Sequence, residues 1–326
     1  MKCWPEKPLT VRSQFIMINI ERFYQEQLRT WQLARDNYEQ LNSLVYKEFV
    51  IEGVSVIVQF NPSRIRSAQA VVDEKSIAQR PCFLCPENRP KEQMSIQFPP
   101  YYDILVNPYP IFSRHLTIAE NRHMPQLVKG RMSDMLNLAT TLTGYTILYN
   151  GPESGASAPD HFHFQACKSE ILPIEKEISN PAFKEKIIEE ELGEVYYMKN
   201  YLRKAFVYKS EDKNWLLRKF DELYKLLHKF HPDTMEPKFN IITWCDQEIG
   251  YLIVFPRRQH RPRQFYETGA KQLLISPGVV DMAGQLIVVR EEDYKKMNED
   301  VIADIYSQIT ISDEEEKNIV EQLRKR

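Results

Sequence analysis

The sequence predicts a mixed α+β protein that is built from two duplicated half-domains and carries an additional helix at its N-terminus. Two observations predict this fold class. Segments whose apolar residues recur at helical spacing alternate with short β-branched segments of the kind that form hairpins. In addition, a pattern of strand, turn, strand and histidine occurs twice, and every position of it, such as Asp103 and Asn240, is offset by 137 residues.

The N-terminal part of the chain is predicted to form a helix, a hairpin and a loop. Apolar residues at near-helical spacing from Ile18 to Tyr46 predict the N-terminal helix. Alternating and β-branched residues from Lys47 to Phe60 predict a hairpin, and a loop follows over 61–67. Downstream, the pattern predicts a helix over about 132–142 and strands over 104–106, 116–119, 146–149 and 162–166.

The internal repeat organises the rest of the chain. Its first copy ends in His123 and its second in His260, without a gap between the matched positions, which indicates duplicated half-domains. The intervening segment is rich in Glu and Lys and helical in period, so we predict a charged helical connector with a solvated face. The predicted division is an N-terminal helix and hairpin (1–60), a first half-domain (61–178), the connector (179–237), and a second half-domain with a C-terminal helix (238–326).

Composition and charge exclude several classes of protein. The 326 residues include 43 Lys and Arg against 45 Asp and Glu, so the net charge of -2 gives no reason to expect nucleic acid or an acidic membrane surface as a partner. No apolar run approaches the roughly 18 residues of a membrane span, and the first residues lack the apolar core of a secretory signal. We therefore expect a soluble, cytoplasmic protein.

The cysteines and histidines predict a metal site. Five cysteines are an odd number, which favours a reducing compartment over a disulfide framework. Cys82 and Cys85 have the spacing at which two thiolates can bind one zinc ion at about 2.3 Å. His161 and either His123 or His115 are the candidates for the remaining positions, and four filled positions would make Zn²⁺ structural. We expect plain thiols or ordinary polar roles at Cys3, Cys167, Cys245, His228, His231 and His260.

The run from His161 to Gln165 predicts the chemistry. In a strand, His161, His163 and Gln165 share one face, while Phe162 and Phe164 enter the core. A metal ion on the first histidine would hold the neighbouring histidine in a fixed orientation, as nucleophilic attack on phosphorus requires. The amide of the glutamine can donate to a phosphoryl oxygen without protonating the leaving group, which favours transfer over hydrolysis.

A loop rich in Gly, Ser and Pro precedes this run. Its glycines, which include Gly155, let backbone N–H groups approach phosphate oxygens closely. At these residues the sequence resembles the transferase branch of the histidine-triad superfamily, in which glutamine replaces the third histidine. Residues 81–89 and 150–165 resemble the zinc motif and active-site run of galactose-1-phosphate uridylyltransferases.

Other segments resemble the phosphorylases of that superfamily more than its uridylyltransferases. Asp160, which departs from the uridylyltransferase spacing, belongs to a run, 160–166, that is similar to GDP-hexose phosphorylases. Residues 276–285 and 291–294 are similar to the C-terminal signature of those enzymes and of diadenosine tetraphosphate phosphorylases. The resemblance spans roughly 62–294. It implies two histidine-triad-like half-domains with antiparallel sheets flanked by helices, of which only the first keeps the histidines.

The resemblance also implies roles for individual residues. His163 matches the nucleophile and Gln165 its partner, and His123 is preferred over His115 because the family's zinc ligand closes the hairpin strand. Two arginines in the loop after the first hairpin are added as phosphate contacts. The implied zinc ligands are Cys82, Cys85, His123 and His161, and the implied substrate contacts are Asn107, Asn150, Gly155 and Ser157, with Arg64 and Arg66 as the added arginines.

The expected reaction is a nucleotidyl transfer in two steps. His163 attacks the α-phosphorus of a nucleoside diphosphosugar or dinucleoside polyphosphate, and the nucleotide then passes to phosphate or a sugar phosphate. Two rivals are a nucleotide hydrolase of the same superfamily and a zinc-stabilised protein that binds nucleotides without turnover. The motifs do not fix the base, the sugar or the acceptor. For assembly, both a pocket formed within one chain and a homodimer stay open.

Overall fold

The computed structural model describes residues 11–69 and 74–325, and within them two sheets and their flanking helices form the fold. The strands are β1 (Val45–Ile51), β2 (Val54–Phe60), β3 (Ser95–Phe98), β4 (Tyr102–Val106), β5 (His115–Glu120), β6 (Tyr145–Asn150), β7 (His163–Lys168), β8 (Lys184–Glu190), β9 (Gly193–Met198), β10 (Phe206–Ser210), β11 (Phe239–Asp246), β12 (Ile249–Pro256) and β13 (Gln285–Val288). The helices are α1 (Val11–Thr30), α2 (Gln32–Gln40), α3 (Ile65–Ala68), α4 (Glu74–Ala78), α5 (Met132–Thr141), α6 (Pro173–Glu177), α7 (Lys213–Phe230), α8 (Val279–Met282), α9 (Glu291–Lys296), α10 (Glu299–Ile309) and α11 (Asp313–Leu323). The mixed α+β prediction is therefore confirmed.

The N-terminal elements agree with the prediction except at three points, one of which is that the predicted loop over 61–67 contains a 3₁₀ turn and the start of α3. The predicted helix is divided into α1 and α2 at Trp31, whose backbone is extended, with φ -117° and ψ 101°. Tyr46, which ends the predicted helix, belongs to β1. The predicted hairpin is present as β1 and β2, and β13 joins it through parallel pairing with β2.

The strands that carry the histidine run also agree with the prediction. β4, β5, β6, β7 and α5 lie where the sequence patterns indicate. Phe162 and Phe164 are fully buried in the core, with ring centroids 4.8 Å apart in an edge-to-face arrangement. Because side chains alternate along a strand, His163 and Gln165 point away from these rings.

Within the described residues, the large sheet contains ten antiparallel strands in the order β3-β4-β5-β7-β6-β11-β12-β10-β9-β8. Counted inward from each edge, β3 to β7 and β8 to β12 occupy equivalent positions, and each half has one helix, α5 or α7, before its last two strands. The prediction of duplicated halves is thus confirmed. The 137-residue offset is wrong, because it aligns the β4–β5 hairpin with β11–β12, whereas the topology aligns β6–β7 with β11–β12.

The predicted helical connector over 179–237 is also incorrect over most of its length. Residues 184–210 form the three strands β8, β9 and β10, and only α7 is helical. Glu and Lys favour helices by propensity, but β8 is an edge strand, where charged side chains stay in solvent and discourage pairing with another chain. Lys184 and Glu194 form a cross-strand ion pair at 3.1 Å. The remaining domain boundaries stay a prediction.

Two apolar cores lie on opposite faces of the large sheet. One packs α1, α2, α5, α7 and α11 against it, and the other packs α6, α8, α10 and the small sheet of β1, β2 and β13 against it. Strand residues alternate between the cores, so that Ile147 belongs to the first and Leu148 to the second. Among the described residues, no helix combines the length and apolar character that crossing a membrane requires.

Candidate active site and metal centre

The four predicted metal ligands lie together between the ends of β5 and β7. The ligand atoms of Cys82, Cys85, His123 and His161 all lie within 4.8 Å of one another. Cys82 Sγ is 3.2 Å from His161 Nδ1, and Cys85 Sγ is 3.2 Å from His123 Nδ1. Two ligands of a tetrahedral zinc ion, bonded at about 2.0 to 2.3 Å, would be roughly 3.5 Å apart. The cluster therefore has a geometry that could hold a metal ion.

Contacts around the cluster orient its ligands. His161 donates from Nε2 to the carbonyl oxygen of Glu120 at 2.8 Å, which leaves Nδ1 with its lone pair toward the sulfur atoms. A backbone hydrogen bond from Cys85 to Cys82 closes the turn that carries both thiols. His115, the alternative third ligand, is not in this cluster and its ring contacts Gln165 instead.

His163, the predicted nucleophile, is held at the first position of β7. Its Nδ1 lies 2.9 Å from the carbonyl oxygen of His161, so Nδ1–H donates there and the lone pair is at Nε2. Burial lowers the pKa of His163 to about 4. The side chain lines a cavity of about 500 Å³. The described geometry thus presents a neutral imidazole nitrogen to that cavity.

Gln126, which sequence reasoning missed, fixes the backbone at His163. Its side chain is fully buried. The amide oxygen accepts from the N–H of His163 at 2.8 Å, and the amide nitrogen donates to the carbonyl oxygens of His163 and Asn150 at 2.9 and 3.0 Å. One side chain therefore ties the end of β6 to the start of β7. It lies in a loop without periodicity, so no local pattern indicates it.

Two cavities meet at the candidate active site. The larger is mainly apolar and includes Trp31, Phe83 and Leu105 besides His163. The smaller, of about 70 Å³, is polar and is lined on its other side by residues of the second half of the chain. Both cavities share Arg64, Ser157 and Gln165. A flat apolar group fits the first, and an anion fits the second.

The loop between β6 and β7 forms the wall between the two halves. Gly155 has φ +103°, and a Cβ atom there would lie 2.6 Å from the Cα of Gly278. Asn150, predicted to contact phosphates, lines the smaller cavity, but its Oδ1 accepts from the N–H of Val279 at 2.7 Å and from Asn240 Nδ2 at 2.8 Å. The amide oxygen of Asn150 therefore joins the halves.

Two of the other predicted substrate contacts, Asn107 and Arg64, lie at the larger cavity. Asn107 lines the larger cavity, where its Oδ1 accepts from the N–H of Tyr109 and its Nδ2 donates to Thr117. Arg64 donates to the carbonyl oxygen of Tyr109 at 2.7 Å, and burial lowers its pKa to about 10. The side chain of Arg66 lies outside the described residues.

The second half supplies residues that the sequence did not indicate as functional. His260, expected to have an ordinary polar role, lines the smaller cavity with Arg261. Both contact the hydroxyl of Ser276 at 2.9 Å, and burial together with the arginine charges lowers the pKa of His260 to about 3. Outside both cavities and the metal cluster lie His228, His231, Cys167 and Cys245, and Cys3 is outside the described residues.

Two family models together match most of the chain. Residues 23–168 match a domain of unknown function (DUF4922), and residues 173–325 match the GDPGP1-like C-terminal domain. None of the curated proteins has significant similarity to the sequence. The boundary between the two matched ranges falls in the connection between β7 and α6.

Solved structures with this fold include yeast Ap4A phosphorylase Apa2. Its complex with AMP is 17% identical, with a TM-score of 0.55, and the match covers 87% of this chain and 96% of that chain. Its complex with Ap4A is 16% identical, with a TM-score of 0.56, over 86% and 97% of the two chains. At these identities the likeness establishes the fold. Together with the GDPGP1-like match over 173–325, this shared fold bears out the predicted resemblance to the nucleotidyltransferases and phosphorylases of the histidine-triad superfamily.

Proposed function

From this resemblance and the geometry of the site, we propose that the chain is a nucleotidyltransferase that acts through a covalent nucleotidyl-histidine. Its donor is a nucleoside diphosphosugar or a dinucleoside polyphosphate, and its acceptor is phosphate or a sugar phosphate. The observation that carries the proposal is the placement of His163, whose Nε2 lone pair faces a cavity that continues into a polar, cationic pocket. The yeast protein was solved with AMP and with Ap4A bound, which supports a nucleotide as ligand.

In the first step His163 Nε2 attacks the α-phosphorus. A P–N bond forms, the bond from phosphorus to the bridging oxygen breaks, and the leaving sugar phosphate or nucleoside polyphosphate takes the electron pair. In the second step an oxygen of the acceptor attacks the same phosphorus, the P–N bond breaks, and the histidine is released. In the transition state of each step, negative charge is spread over the phosphoryl oxygens. Gln165 and Arg64 line the cavities where these oxygens would lie, so their N–H groups can stabilise that charge.

The two cavities suit the two parts of the donor. Trp31, Phe83 and Leu105 give the larger cavity flat apolar walls on which a nucleobase can stack. The smaller cavity is too narrow for a nucleoside and carries arginine side chains, which suit a phosphoryl group. Arg64, Ser157 and Gln165, shared by both cavities, lie where the reacting phosphorus would be bound.

We further infer that the metal ion is Zn²⁺ and that it is structural. Two thiolates and two imidazoles are the donor set that zinc prefers, and four protein ligands leave no open position for substrate. When bound, the ion would fix the turn that carries Cys82 and Cys85 and the backbone at His161. Because His161 is only two residues from His163, the cluster would also stabilise the position of the nucleophile.

The test is a search for the covalent adduct. The protein is incubated with UDP-, GDP- and ADP-sugars and with diadenosine polyphosphates, without acceptor, and its intact mass is measured. We expect an acid-labile mass increase of one nucleotide, which also identifies the base, and we expect none in His163→Ala. His228→Ala, on α7 and outside both cavities, is the matched control and should form the adduct.

Adding acceptor separates transfer from hydrolysis. Phosphate or a sugar phosphate should discharge the adduct and yield the nucleotidylated acceptor, whereas water alone should discharge it slowly. An acid-labile adduct of equal yield in His163→Ala would contradict the proposed nucleophile. Release of free nucleoside monophosphate at the same rate with and without acceptor would identify a hydrolase instead.

A further inference from the structure

His115 is a buried histidine that the proposed reaction leaves without a task. It is the first residue of β5 and has no exposed surface. It is not a member of the metal cluster. Its ring lies beside Phe112, with centroids 5.8 Å apart, and its Nε2 is 2.7 Å from Oε1 of Gln165. A polar ring in such a place indicates a defined hydrogen-bonding role.

The contacts of His115 determine which ring nitrogen carries the proton. The backbone N–H of Ile111 donates to Nδ1 at 3.2 Å, so Nδ1 holds a lone pair. Burial and the nearby positive charge of Arg64 lower the pKa of His115 to about 3, so the ring is neutral near pH 7. A neutral ring with a lone pair at Nδ1 has its proton at Nε2, and this proton is donated to Gln165.

This hydrogen bond determines which end of the Gln165 carboxamide faces the substrate. The oxygen and nitrogen of a carboxamide have similar size, so shape alone does not choose between its two orientations. With the oxygen accepting from His115, the NH₂ group is directed to the region shared by the two cavities. The reversed orientation would place two N–H donors against each other and turn an acceptor toward phosphoryl oxygens.

We propose that His115 is a positioning residue that holds the NH₂ group of Gln165 toward the phosphoryl group in transfer. This inference rests on the proposed nucleotidyl transfer through His163. His115 does not touch substrate and exchanges no proton. It disfavours the reversed orientation of the Gln165 carboxamide, in which the amide oxygen would face the phosphoryl oxygens and repel their developing negative charge.

The first experiment measures the rate of adduct formation in a single turnover. His115→Leu removes the donor, and His115→Gln restores an N–H group near the position of Nε2. We expect the leucine variant to form the adduct roughly 10- to 100-fold more slowly, somewhat less than the loss of a whole oxyanion donor. Nucleotide affinity should change less than about twofold, and the glutamine variant should recover most of the rate.

The second experiment repeats His115→Leu in a Gln165→Ala background. If His115 acts through Gln165, the leucine change should slow the reaction no further there. An equal slowing in both backgrounds would show a general structural role and overturn the proposal, as would a loss of less than twofold in the single variant. The comparison uses only the ratio of the rates with and without His115→Leu in each background. It therefore remains valid when the Gln165→Ala variants react slowly.

The third measurement uses the unmodified protein without substrate. Nitrogen NMR of the ring should show the Nε2–H form at His115, with a proton protected from exchange that becomes labile in Gln165→Ala. An Nδ1–H form would overturn the positioning role and leave the nucleophile untouched. Absence of an adduct with every donor would instead contradict the proposed function, because the tautomer is measured independently of turnover.

Discussion

The two halves of the large sheet share one topology but differ at the hairpin formed by their last two strands. In the first half, twelve residues rich in Gly, Ser and Pro connect β6 to β7 and line the site. In the second half, Gln247 and Glu248 alone connect β11 to β12, with Gln247 at φ 53°. The candidate metal ligands likewise belong to the first half, within the part of the chain that the structure describes.

The difference teaches that the two halves share a scaffold, while the residues of the proposed chemistry lie mainly in one of them. Asn150 and Asn240 pair across the centre of the sheet, so the end of β6 adjoins the start of β11 and the exit of β12. The second half therefore contributes to the site the residues that follow β12, including His260. The short turn between β11 and β12 does not take part. One half carries the proposed nucleophile, and the other completes the wall of the cavity that it faces.

We expect the largest difference between the two halves when the metal ion is lost. In Cys82→Ser one thiolate is gone, and we expect the bound metal to fall from about one ion per chain to nearly none. The free energy of unfolding should fall by several kcal/mol, since metal binding and folding are coupled. Metal analysis and denaturant unfolding measure this, and hydrogen exchange should locate the loss to β5 and β7 rather than β9 to β12.

Cys245→Ser, in β11 of the second half, is the matched control for the metal. Cys245 is half-buried and outside the cluster, so metal content should not change. Equal metal content in Cys82→Ser and in the unmodified chain would show that the cluster does not bind the ion. Uniform loss of exchange protection over both halves would show that they are one cooperative unit.

The next largest effect should come from the contact between the halves. A methyl group in Gly155→Ala would overlap the backbone at Gly278, so the loop must shift and carry Ser157 with it. We expect adduct formation to slow by about 100-fold. Gly130→Ala is the matched control, because Gly130 also has positive φ, at +80°, but open space around it.

Both glycine variants should lose roughly 1 to 2 kcal/mol from the strain of a side chain at positive φ. Only Gly155→Ala should lose catalytic rate, as measured by single-turnover adduct formation. If the rate of Gly130→Ala fell equally, the defect would reflect general destabilisation rather than the joint between the halves.

The smallest effect concerns a carboxyl group that links the halves. Glu236, in the second half, is buried and accepts from the N–H of Val128 and the hydroxyl of Tyr149 in the first half. Burial raises the pKa of Glu236 from 4.5 to about 7. The folded state therefore binds this proton more tightly than the unfolded state, and the stabilisation, present below pH 4.5, is lost as the pH rises to about 7.

Glu236→Gln should remove this part of the pH dependence. We expect the difference in unfolding free energy between unmodified chain and variant to change by on the order of 1 to 3 kcal/mol between pH 4.5 and 7.5. Chemical denaturation at several pH values measures it. Glu153→Gln, at an exposed glutamate, should keep the original slope, and an unchanged slope in Glu236→Gln would exclude Glu236 as its source.

Local patterns in the sequence predicted the elements and residues whose neighbours are close along the chain. Alternation placed His163 opposite the buried phenylalanines, and the spacing of Cys82 and Cys85 indicated their shared turn. Such patterns do not report contacts between distant segments. β8 to β10 were mistaken for helix because Glu and Lys favour helices wherever tertiary contacts do not decide.

The same limit explains the residues that were missed. Gln126 binds the backbone of two strands from an irregular loop, and Trp31 reaches the larger cavity only because α1 and α2 meet there. The proposed role of His115 depends on Gln165, a residue fifty positions away. Each of these side chains acts through a partner that is distant in the sequence and close only in the folded chain. The composition and spacing of the neighbouring residues therefore do not indicate it.

The backbone contact of Gly155 with Gly278 has a consequence for the order of folding. The two glycines are about 120 residues apart, so the entropy of closing a long loop must be overcome before they meet. The hairpins and the helices that pack on them involve shorter separations and can form earlier. We therefore expect the candidate active site to be completed late in folding, after both halves of the sheet have formed.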